Sequence, residues 1–164
     1  MASSAAPVLI RTLALRTISR AGLIAGVLDG LDAVVYFCWM RGVPVIRLFQ
    51  NIAGGVLGRK TLQGGLPTAF LGVLFHFLIA TGAATIYFLL SRRFSLLWRK
   101  PILCGPVFGL GLYGFMYFVV LPMSAVPGRM PPTVGVVLNE LIAHIFFVGL
   151  PIAFVVSRET RSWS

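Results

Sequence analysis

Acidic side chains are nearly missing from this chain: there are four Asp and Glu residues in 164, against 14 Lys and Arg. Charged residues of both signs reach only 11%, where ordinary soluble domains carry about a quarter. With 58% hydrophobic residues and a mean hydropathy of +0.94, that shortage excludes a soluble globular domain. There are two cysteines, Cys38 near the end of the first apolar run and Cys104 near the start of the third. They fall at opposite membrane faces, too far apart for a disulfide, whose Cα atoms sit about 4.4–6.8 Å apart. Each reads as an apolar packing residue. The net charge of +10 does not indicate nucleic acid, because the basic residues flank the apolar runs and no zinc-knuckle or RNA-binding signature occurs. Also missing are a Gly-rich phosphate loop, a G-x-S-x-G elbow and an H-E-x-x-H pair, so no catalytic motif marks an enzyme.

What is present is length. A spanning helix needs about 20 apolar residues, and four segments qualify: Ala21–Met40, Pro67–Leu90, Pro101–Pro122 and Thr133–Val156. Prolines open the second and third, where a missing N–H costs nothing. Trp39 and Trp98 lie near segment ends, as interfacial anchors do. The expectation is an all-α membrane protein: a four-transmembrane-helix bundle over 21–157, with a basic segment 1–20 and a tail 158–164. Lys and Arg bias orients it. Arg11, Arg16, Arg20, Arg92, Arg93, Arg99, Lys100, Arg158 and Arg161 fall on one side; Arg41, Arg47, Arg59, Lys60 and Arg129 on the other. The richer side belongs inside, which makes both termini cytoplasmic.

The first residues are acid-free and rich in Arg, Ser and Ala, which also fits a transit peptide or a signal-peptide n-region. The following apolar run holds two aspartates and no small-residue cleavage site, so an uncleaved basic anchor is expected. In the first outer loop, residues 44–57 place Val45, Phe49, Ile52 and Val56 on one side of a helical wheel, with Arg47, Gln50 and Asn51 elsewhere. That pattern predicts a short amphipathic helix on the outer surface, positioned to cap an opening between the spans.

The scarce acids are placed against expectation. Asp29 and Asp32 lie in the first apolar run, His76 in the second, Glu140 and His144 in the fourth; only Glu159 is in an aqueous stretch. An ionisable group in hydrocarbon costs roughly 2.5–3.5 kcal/mol on insertion scales. At 1.5 Å per residue, Asp32 and Asp29 lie about 12 and 16 Å from the outer end of their helix, His76 about 13 Å, Glu140 and His144 about 10 and 16 Å. All five share one layer. Asp29 and Asp32 are i, i+3 and Glu140 and His144 are i, i+4, so each pair shares a face. Small residues on those faces, Gly22, Ala25 and Gly26 near Asp29, and Gly72, Ala80 and Ala83 near His76, predict that they point into the bundle. Tyr113 and Tyr117 on helix three, and Asn139 beside Glu140, are expected to support the site.

Several chemistries suit these residues. Carboxyl and imidazole groups in an apolar site can exchange protons near neutral pH. His76, His144 and Glu140 also suit a divalent metal ion, and two histidines on different helices suit a b-type haem. The plain alternative is glue between helices, worth about 0.6 kcal/mol per polar contact. From other classes come an accessory subunit of a larger respiratory or photosynthetic complex and a haem- or metal-bearing redox protein. Expected partners are the lipid bilayer and either a second copy of the chain or a larger membrane complex.

The second half carries a recognisable series: His76, a basic loop with Leu97-Trp98, a Gly-rich third helix, Leu121-Pro122-Met123, Pro131-Pro132, and Asn139-Glu-Leu-Ile-Ala-His144. With Gly22-Leu-Ile-Ala-Gly26 near the start, it resembles the YagU-type bacterial inner-membrane proteins, a family of unknown function. The resemblance implies a bacterial inner-membrane address and a shared site at His76, Glu140 and His144. Asp29 and Asp32 have no counterpart in that pattern.

Overall fold

In lipid every backbone N–H and C=O must be paired internally, and a helix pairs them all. A computed structural model describes residues 5–126 and 132–162, and among these the chain is helical with no strand. Arg129 and Pro131 lie outside the described residues. Four helices are long and apolar enough to cross a membrane: Arg11–Met40, Gly65–Arg93, Pro101–Met123 and Val134–Arg161. The chain is an all-α, multi-pass membrane protein built as a four-helix bundle.

The first span is longer than its apolar run. Helix α1, Ala5–Ala33, carries straight through the basic segment that the sequence sets apart at residue 20. Thr17 on this extension is fully buried, as is Ala21 where the apolar run begins. The chain then turns through α2 (Val45–Leu57) into α3 (Gly65–Arg93), with positive-φ glycines at Gly42, Gly58 and Gly65 making the corners. Next come α4 (Leu96–Arg99) and α5 (Pro101–Phe115), with proline in the first turn of α5. The third span ends in α6 (Leu121–Met123). The fourth comprises α7 (Val134–Ile142) and α8 (Leu150–Arg161). Thr133 caps α7 by accepting from the Val136 N–H, and Arg158 and Arg161 sit in the last turn of α8, where cations suit the helix dipole. Glu159 is bound to Arg20 at 2.6 Å.

The second span packs on the first, the first on the fourth and the fourth on the third. Glycine sets two of these distances. A Cβ on Gly22 would sit 2.7 Å from the Thr81 backbone. On Gly109 it would strike the His144 carbonyl, and on Gly149 the Gly105 carbonyl. Toward the basic end, Ala25, Ala84, Tyr87, Ile152, Ala153 and Val156 make a dry core. Tyr87 spends its hydroxyl on the Leu97 carbonyl at 2.8 Å, and Ser157 reaches the Trp98 carbonyl at 2.5 Å, so α4 seals that end.

Wide turns mark the opposite half. Val34–Met40, Met116–Val120 and Ala143–Gly149 are π-helical. Pro122 and Pro151 follow the latter two directly. A proline has no N–H for the carbonyl four residues back, and its ring collides with that carbonyl. Widening the preceding turn relieves both conflicts.

The short helix forms as expected, over Val45–Leu57. Gln50, Ala53 and Gly54 are its buried face, while Val45 and Val56 remain exposed. A Cβ on Gly72 would meet the Phe49 carbonyl, so α2 is pressed onto α3 rather than laid on an aqueous surface. Gln50 donates to the Gly65 carbonyl at 3.0 Å and the Thr68 hydroxyl at 3.2 Å. The amide thus finds its partners against α3, while the valines at the two ends stay on the outside of the bundle.

Candidate functional site

Where the turns widen, the helices part around a cavity of about 580 Å³. Asp29, His76, Glu140 and His144 all line it, among apolar groups that include Ile79, Leu112, Met116 and Val148. All four therefore face one space. Each of the four is half-buried, bordering a space rather than packed into a buried cluster. Helix α2 roofs the cavity with Leu48, Asn51, Ile52 and Gly55, and the Ala125 N–H binds the Gly55 carbonyl at 2.9 Å, fastening the following loop across it.

Both imidazoles are held by backbone. His76 Nε2 lies 2.8 Å from the Gly26 carbonyl, and Gly30 leaves room for the ring against α1. His144 Nδ1 lies 2.8 Å from the carbonyl of Glu140, one turn earlier. A carbonyl oxygen only accepts, so these two ring nitrogens carry the protons. Among the described residues the other nitrogen of each ring makes no hydrogen bond, and neither do the carboxylates of Asp29 and Glu140.

Asp32 stands apart. It is absent from the lining and takes a hydrogen bond from Asn139 at 2.9 Å, joining the first span to the fourth. This is the helix glue of the plain reading, and Asn139 is its donor. Tyr113 meets the His144 ring edge-on at 5.6 Å and stacks with Tyr117 at 5.9 Å, yet neither tyrosine lines the cavity. Tyr113 thus braces one imidazole from behind.

The metal-centred expectation for His76, His144 and Glu140 is corrected. Among the described residues no three His, Cys, Asp or Glu side chains come together as a metal ion requires. The donors border the cavity without converging on one point. The two histidines of the haem reading border the same space, but that reading leaves Asp29 and Glu140 without a role.

Sequence reasoning did not find Asn51 and Ser124 in the lining, nor the wide turns that open the cavity. Pro122 and Pro151, each inside an apolar run, were the available signal. Comparison with family models, with curated proteins and with solved structures yields no match.

Proposed function

We propose that the cavity is a proton-handling site in a small inner-membrane protein, with Asp29 and Glu140 exchanging protons with His76 and His144. One observation carries the reading: four titratable side chains border a single space, and each keeps an oxygen or nitrogen there that makes no hydrogen bond among the described residues. Groups that served only as glue would be spent on one another, as Asp32 is on Asn139. Intramembrane ionisable residues facing a cavity are those that relay protons. In proteoliposomes holding a pH-sensitive dye, an imposed pH gradient should collapse faster with the wild-type protein than with Glu140→Gln or His144→Ala. Equal rates would reject the reading.

The bacterial inner-membrane address belongs to the same proposal and rests on the YagU-type resemblance. Lys and Arg bias supports cytoplasmic placement of both ends. A cysteine at Ser162 should react with an impermeant maleimide only after inner membranes are broken; labelling in intact spheroplasts would reverse the orientation.

A further inference from the structure

We infer that the cavity's guest is an organic ammonium ion, a protonated amine carrying an apolar body. This rests on the cavity being the functional site, though not on protons moving through it. The argument is an account of donors. Six polar side chains line the space: Asp29, Asn51, His76, Ser124, Glu140 and His144. Three have already given a proton to backbone: His76 to Gly26 at 2.8 Å, His144 to Glu140 at 2.8 Å and Ser124 to Leu121 at 2.7 Å. What they leave is lone pairs. When Asp29 and Glu140 are ionised the lining accepts almost everywhere, and among the described residues the Asn51 amide is its one side-chain amide donor not spent on backbone. Among the described residues no Lys or Arg contributes to it.

Such a lining complements a guest that is positive and donates several hydrogen bonds. A carboxylate, a phosphate or a quinone needs donors and finds few. A bare metal ion fails on geometry, since the described side chains do not converge on a point. At about 580 Å³ the space is within the range of small-molecule pockets, and Ile79, Leu112, Met116 and Val148 offer hydrocarbon to the body of the guest.

Titration calorimetry of the full-length protein in detergent tests this with three probes: phenethylammonium, tetraethylammonium and phenylacetate. Phenethylammonium should bind saturably. Asp29→Asn and Glu140→Gln should each weaken it by about tenfold or more, the worth of a hydrogen bond to a charged group. Tetraethylammonium, equally charged but with no N–H, should be weaker by a similar factor, and phenylacetate should not bind. No saturable phenethylammonium binding, full binding by the Asp29→Asn/Glu140→Gln double variant, or phenylacetate binding as well as the amine would each overturn the proposal. If a carboxylate variant does not fold, Leu112→Phe fills the cavity while keeping both acids; undiminished binding to it would also overturn the proposal. Gradient collapse in proteoliposomes without amine binding would sink this inference and leave the proton reading standing; binding without collapse would do the reverse.

Discussion

Around Ala25 and Ile152 the helices touch through small residues and one tyrosine; about one turn along α1, at Asp29, they stand apart around open space. Both halves are built from the same four apolar spans. Residue size and proline placement separate them. Ala and Gly let backbones meet where Tyr87 fills the remaining gap, whereas Pro122 and Pro151 widen turns on the two helices that carry Met116 and His144. Polar side chains collect where packing stops, because there an unspent oxygen or nitrogen can meet water or a guest.

Filling the tight seam should break this contrast most severely. Gly149→Leu drives a side chain into the Gly105 carbonyl and the Gly109 backbone, so the third and fourth spans must separate. Loss of the monodisperse peak in size-exclusion chromatography is expected, and a folded variant would show that the contact is dispensable. A matched pair of truncations sharpens the comparison. Ile152→Ala in the dry core should cost about 2–5 kcal/mol. Ile79→Ala, at a cavity residue 44% exposed, should cost less than about 1 kcal/mol, since little packing is lost. Unfolding by SDS titration reads both, and equal costs would erase the distinction between the halves.

Smaller effects lie at the ends. Gln50→Ala leaves the Thr68 hydroxyl and the Gly65 carbonyl short of a donor and should cost about 1–3 kcal/mol. The same titration checks it; no loss would mean that α2 is held by backbone packing alone. Glu159→Ala removes the pair with Arg20, whose side chain is 48% exposed, and should change stability by no more than about 1 kcal/mol. A larger loss would move that pair into a drier setting than the basic end provides.

Much of this was legible in the residues. Four apolar runs of sufficient length gave the spans, Thr133 and Pro101 marked helix starts, and helix rise put Asp29, His76, Glu140 and His144 at one depth. The start of α1 was not legible, because Arg11 and Arg16 interrupt the apolar pattern that signals a span. The wheel of α2 did not show that Gln50 turns onto α3, because that depends on the Gly65 carbonyl and the Thr68 hydroxyl, brought near only by the fold. Nor can spacing show which nitrogen of an imidazole is occupied; that depends on the Gly26 and Glu140 carbonyls, fixed only once the helices are in place.

The wide turns also alter what counting residues along these helices means. A turn closed by i→i+5 bonds holds one residue more than an α-turn between the same two faces. Positions on either side of 34–40, 116–120 and 143–149 therefore cannot share a helical wheel. A related helix built without such a turn would match this one only across a single-residue gap, placed inside the membrane, where sequence alignments are least inclined to allow one.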